Sequence, residues 1–454
     1  MPCFSSDFLL EGQSARSCYR ERERKAPVLA RCDISFIRAL AEDRLYQTVT
    51  DFFLCDDPTR QMLMRLAGVE ERFITGDGSD YEKFRFFCTV MGDSIGSLAW
   101  LHAQAELRIL LDCPLDLCAK HCDEIWQKTG AMFATERVTA RTVVRRCGIE
   151  ALLVALPPDG ELSLLERVGR EMGIAVLPIF CPDTLLDVQG NFAQAVHRLC
   201  EITGVEVDSL EGLARAIGSV LDRFAAAGCK AAVHTVWPYR FQRPDPYHAD
   251  MAVKKILVEG ISPNEQERAV LCTQLWRILG IEYRRRNMLL ELPSGGASPM
   301  RNAVRVDGAP ARIPYRTATQ LLEYLSSCAG LPRVALYVAE PGEVPDMLTL
   351  VGRYANPQGP DGAGFSFGLI SGTDRQMRSC TQMLMAANRA EDVLGAYPDF
   401  RLSTSLLDGE LFCRTLCNLF AEREAFEELK LPQGRAEALL RRVCYENMKR
   451  LHRI

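Results

Sequence analysis

Eight short apolar runs, each followed by helix-length amphipathic sequence, constrain the fold of this chain more than any other feature. They are Pro27 to Ala30, Glu150 to Val154, Ile174 to Phe180, Lys230 to His234, Asn287 to Leu290, Arg333 to Val338, Phe365 to Ile370 and Val393 to Tyr397. Alternation of strand-length and helix-length segments is the pattern of repeated βα units. The runs are nearly continuous in apolar character, as expected of strands covered on both faces, and that favours a parallel sheet over an antiparallel one. The reading is an α/β fold, a TIM-like (β/α)8 barrel spanning 1–454 as a single domain.

The spacing is uneven in one place, between the first and second runs. Segments around Phe36 to Leu54, Thr59 to Ala67, Asp80 to Val90 and Asp116 to Thr129 carry apolar residues at helical period, which predicts a helical insertion over 36–140 after strand one. Barrel active sites lie at the C-terminal ends of the strands, so this insertion is expected over that mouth, supplying site residues or a lid.

Composition narrows the partner. Hydrophobic residues make up 48% and charged residues 25%, with a formal net charge of -5. The basic residues are scattered, which argues against nucleic acid or an anionic membrane as partner and leaves a small molecule or another protein. Eighteen cysteines without closely spaced CxxC pairs read as reduced thiols in a cytosol. Phe8-Leu9-Leu10 is too short for a signal-peptide core, and no apolar run reaches the roughly 18 residues a spanning helix needs. A cytoplasmic protein is expected.

Gly68-Val69-Glu70-Glu71-Arg72-Phe73-Ile74-Thr75-Gly76-Asp77-Gly78-Ser79-Asp80-Tyr81-Glu82-Lys83-Phe84 is similar to the "GVxExxITGDASDxEKF" stretch of uronate isomerases. Phe8-Leu9-Leu10, Ala105 to Arg108, Leu177-Pro178 with Pro182-Asp183, Gly228-Cys229-Lys230 leading to His234, Asp399 with Arg401, Leu416 to Leu419 and Cys444 to Arg450 agree as well. The resemblance therefore runs the length of the chain. It implies a relative of the amidohydrolase group that interconverts aldose and ketose forms of a hexuronate such as glucuronate or galacturonate. Such chemistry needs a carboxylate-binding group, an acid and a base and, by resemblance, a divalent metal such as zinc on His and Asp side chains.

Several family positions are replaced here. The place of the His-x-His pair after strand one reads Ala30-Arg31-Cys32-Asp33-Ile34, and the Asp-His-Tyr element of the insertion reads Asp57-Pro58-Thr59. Cys181 stands where the family has an arginine, Ala155-Leu156 at an acidic pair, Ala232-Val233-His234 at a Ser-Asp-His, Glu291 at the strand-five histidine and Gly368-Leu369 at a Trp-Trp pair.

What the resemblance leaves as site candidates is His234 and Asp399 for acid–base work, with Arg401, Arg301 and Asp57 for the substrate. Each has a bland alternative. His234 also reads as a core hydrogen-bonding group, Asp399 and Arg401 as each other's ion pair, and Arg301 as a solvent-facing charge. Were a metal bound, His234 and Asp399 would hold it. Cys32 or Asp33, Cys181 and Glu291 add ligand-capable side chains near strand ends, as any cysteine-rich chain can by chance. His102, His121, His197, His248 and His452 lack ligand spacing and read as surface or packing residues. Three functions are compatible with these residues: an isomerase acting on a sugar acid, a catalytically inactive relative that binds a ligand or a partner, and, by fold analogy alone, a metal-dependent hydrolase. A homo-oligomer is compatible with all three.

Overall fold

The computed structural model describes residues 10–23, 28–55, 57–234, 242–293, 332–338, 341–346, 348–349, 365–370, 374–387, 393–397, 402–425 and 435–454. All eight apolar runs form strands: β1 (Val28–Cys32), β2 (Ile149–Leu156), β3 (Ala175–Phe180), β4 (Ala231–Val233), β5 (Leu289–Pro293), β6 (Arg333–Val338), β7 (Phe365–Ile370) and β8 (Val393–Tyr397). They make one sheet in chain order, and every neighbouring pair is parallel.

The sheet is strongly curved. Arg31 on β1 donates two hydrogen bonds to Glu291 on β5. Four strand steps in a flat sheet would hold those strands roughly 19 Å apart, farther than the two side chains reach. The curl brings β1 and β5 face to face, which establishes an α/β fold with at least a parallel half-barrel. The described ladders run from β1 to β8, and among the described residues none joins β8 back to β1. The full (β/α)8 closure expected from the number of runs is therefore not established by strand pairing. The helix Leu402–Ala425 does lie against both β1 and β8.

Alternation along the strands sorts side chains into two packed zones. Toward the helices lies the main core, with Ala30 and Cys32 of β1, Leu152, Val154 and Leu156 of β2, Phe180 of β3, Leu290 and Leu292 of β5, and Val334 and Leu336 of β6. On the concave face a second cluster gathers Leu153, Ile179, Ala231, Val233, Leu289, Ala335 and Tyr337 with Met448 and Leu451 of the C-terminal helix Asn447–His452. The covering helices are amphipathic as their spacing requires. Leu210–Ala226 buries Leu213, Ile217, Val220, Leu221 and Phe224, and Glu265–Arg285, opened by an Asn264/Glu267 capping box, buries Trp276, Leu279 and Tyr283.

The insertion has a core of its own. Val49, Phe53, Met64, Phe84, Phe87, Met91, Leu107 and Ile125 belong to a cluster separate from that of the sheet. The expected span 36–140 begins inside a helix that packs with the sheet. The helix Ile34–Ala41 follows β1 directly, with Asp33 accepting from the Phe36 N–H as its cap, and buries Ile37 and Leu40 in the main core. The lobe departs only after that helix, at an antiparallel bridge between Leu45 and Thr139, where Tyr46 N–H donates to Val138 O and Ala140 N–H to Arg44 O, both at 3.0 Å. The Gly68–Phe84 stretch sits inside the lobe. There Arg65 pairs with Glu71 at 2.6 Å, Ser79 and Glu82 form a capping box, and a Cβ on Gly76 would lie 2.7 Å from Arg72 Cα. Among the described residues no helix is long and apolar enough to cross a membrane.

Candidate functional site

A charged network occupies the concave face of the sheet. Arg31 shares the parity of Leu29 on β1, and Glu291 that of Leu289 on β5, so the pleat turns both inward. Arg31 Nη1 is 2.8 Å from Glu291 Oε2 and Nη2 is 2.5 Å from Oε1, a bidentate pair whose side chains have no solvent exposure. His452 reaches the same carboxylate, with Nε2 at 3.1 Å from Oε1. Burial opposes ionisation of Glu291, but the Arg31 guanidinium and then His452 outweigh it and hold the carboxyl at about 2. Removing one partner from such a pair costs about 3–5 kcal/mol, because the other is left buried and charged.

The C-terminal helix that delivers His452 is fixed at several points. Lys449 Nζ lies 2.7 Å from Glu150 at the start of β2, Arg333 at the start of β6 donates to Leu451 O at 2.8 Å, and Tyr337 OH contacts Met448 Sδ at 3.6 Å. All three anchors lie on strands or on the helix itself, so the imidazole is held rather than merely near.

His234 follows β4 and faces the other way. Val233 belongs to the concave cluster, so the next residue turns toward the helices. Its Nε2 is 2.8 Å from the Tyr283 hydroxyl, and its ring packs on Trp276 at 4.1 Å between centroids. The residue has no exposure. Burial pushes its pKa well below the usual imidazole value and pushes the Tyr283 hydroxyl well above the usual phenol value, so both are neutral. Neutral groups of this kind make a packing and hydrogen-bonding pair behind the sheet, away from the face that carries Arg31 and Glu291.

Asp57 caps the helix Pro58–Leu66, accepting from the Arg60 N–H at 2.9 Å. It also lies 3.3 Å from Arg60 Nε, while Arg60 Nη2 reaches Glu106 at 2.7 Å and the guanidinium covers the Phe53 ring. Its visible work is therefore inside the lobe. Arg301, Asp399 and Arg401 fall outside the described residues.

A divalent metal does not fit the described part of the site. Cys32 lies on the helix side, in the main core, Asp33 caps a helix, His234 turns outward, and Glu291 already serves Arg31 and His452. Cys181 does pack against the concave cluster, but these ligand-capable residues are split between two faces. Among the described residues no group of three or more His, Cys, Asp or Glu side chains could hold a metal ion. His452, read as a surface or packing residue, is buried, with its Nε2 3.1 Å from the Glu291 carboxylate. The signal lay in the sequence: a lone Arg within Val28–Cys32 and a lone Glu within Leu289–Pro293 are charges in apolar strands, which persist only when paired.

Comparison with known proteins sets this architecture in context. The glucuronate isomerase family model matches residues 1–452. The uronate isomerase of Clostridium perfringens is 25% identical over 97% of this chain and 97% of its own length, and that of Vibrio vulnificus is 26% identical over 98% and 97%. Among solved structures, the Thermotoga maritima uronate isomerase superposes with a TM-score of 0.84 at 20% identity, covering 99% of both chains. The Caulobacter crescentus glucuronate isomerase gives 0.82 at 17%, covering 100% of this chain and 98% of that one.

Proposed function

Because this chain belongs to the glucuronate isomerase family, we propose that it acts on a hexuronate, interconverting the aldose and ketose forms of a sugar acid such as glucuronate or galacturonate in carbohydrate catabolism. The single observation that carries this reading is the family match from residue 1 to residue 452. In the same proposal β8 closes on β1 beneath the helix Leu402–Ala425, and the insertion covers the C-terminal mouth.

The reaction moves a proton from C2 of the open-chain aldose to C1, while a second proton passes from the C2 hydroxyl oxygen to the C1 carbonyl oxygen. Asp399 is assigned the proton transfer, since His234 turns toward Trp276 and Tyr283. Arg401 and Arg301 are assigned the sugar carboxylate, because Arg31 is already engaged by Glu291. The protein is proposed to be cytoplasmic, with a small sugar acid as its partner and self-association into a homo-oligomer.

The test is incubation of purified protein with glucuronate and galacturonate in deuterated water. A ketose product with deuterium at C1 supports the reading. Absence of both from either substrate, in a sample shown by circular dichroism to be folded, rejects it.

One observation favours a second reading, a catalytically inactive relative that binds a ligand or an active partner. The strand segments at which the family resemblance implies imidazoles carry the Arg31 to Glu291 ion pair. A thermal shift with a sugar acid but without turnover supports this alternative, and turnover removes it.

A further inference from the structure

We propose that the Arg31 guanidinium is the resident cation of this sheet, and that the Arg31–Glu291–His452 network does in this chain the cross-strand tethering that a bound divalent metal would do. The inference holds under either functional reading, since it concerns which cation the concave face accepts.

The donor set is already committed. Among the described residues, a divalent metal on the concave face would need Glu291, the carboxylate that β1 and β5 present there. Both of its oxygens already bond Arg31, at 2.8 and 2.5 Å, and Oε1 also faces His452 Nε2 at 3.1 Å. Transferring Glu291 to a metal would strand a permanently charged guanidinium in a site without solvent exposure, and would set a second cation beside it. Of the described residues around it, Leu153, Ile179, Val233, Leu289 and Ala335 offer no ligand, and Cys181, packed against the same cluster, adds one donor, too few to compensate.

The network also has the reach of a tether. It joins β1, β5 and the C-terminal helix, three elements that share no backbone ladder among the described pairings. Planar bidentate geometry fixes the register between Arg31 and Glu291 as a coordination bond would, which a flexible lysine could not. A sheet stapled in this way needs no metal for its folded shape.

Two measurements test the proposal. Wild-type protein, expressed in medium supplemented with zinc and manganese and then desalted, should carry far less than one metal per chain by elemental analysis. A chelator should leave its melting temperature unchanged. Separately, Arg31→Met and Glu291→Leu should each lower the melting temperature, whereas Arg31→Met/Glu291→Leu should lose much less than the two single losses added together. A stoichiometric metal whose removal lowers the melting temperature would overturn the proposal. So would strictly additive losses in the double variant, or single variants that melt like wild type. The metal measurement stands even if a single variant fails to fold.

Discussion

The His234 imidazole packs on the Trp276 indole with ring centroids 4.1 Å apart, on the helix side of the sheet. Its depressed pKa fixes the sign of a pH effect. The unfolded chain takes up this proton near pH 6.5 and the folded chain does not, so the contribution to stability is complete above pH 6.5 and falls as pH drops below it. Between pH 7.5 and 5.5 the loss from this residue should be about 1 kcal/mol. His234→Phe keeps the ring and removes the titration, so its denaturation midpoint should vary less with pH than that of wild type. An unchanged pH dependence would show that His234 titrates normally.

Asp57 gives a choice between folding and binding. As a helix cap, its replacement by alanine should cost about 1 kcal/mol, with Asn or Ser restoring most of the loss. If it served the substrate instead, Asp57→Ala would raise KM or weaken ligand binding while leaving the melting curve in place. Thermal denaturation of the three variants beside a ligand titration separates the two.

Arg60 and Glu106 form the buried ion pair of the lobe, 2.7 Å apart with side chains 7% and 4% exposed. Glu106→Gln should cost about 3 kcal/mol or more, and Arg60→Met a comparable amount. Amide exchange should report the damage first in the helices Pro58–Leu66 and Leu98–Ile109, before β1 to β5 respond.

Gly76 tolerates no side chain for a geometric reason. A Cβ there would lie 2.7 Å from Arg72 Cα and 3.2 Å from Glu71 O, backbone atoms that no rotamer change can move. Gly76→Ala should lower stability by about 1–3 kcal/mol, and a melting temperature equal to wild type would refute the close approach.

All eight strands were legible because apolar runs bounded by amphipathic segments leave few alternatives in a parallel sheet. Facing was harder to read. Period two says that Val233 and His234 point opposite ways, but where both faces of a strand are covered, hydrophobicity does not say which side is concave. His234 therefore read as a site candidate on its position at the strand end, and its direction emerged only from Tyr283 and Trp276. The partner of Glu291 was hidden differently. Arg31 lies 260 residues away in sequence, and no local pattern links two positions at that separation. The helices of the lobe were legible from their period, but Ile34–Ala41 shows the same period and only packing assigns it to the sheet.

The bridge between Leu45 and Thr139 has a consequence for how this chain could have been assembled. The lobe leaves and returns at this bridge, yet its helix Leu98–Ile109 also packs on Leu402–Ala425 and sets Ala105 in the main core, so only its outer helices are remote from the scaffold that carries it. Material added to those outer helices would leave the spacing of β1 and β2 alone, whereas trimming Leu98–Ile109 would uncover the main core, so only the outer part of the lobe is free to change at its own evolutionary pace.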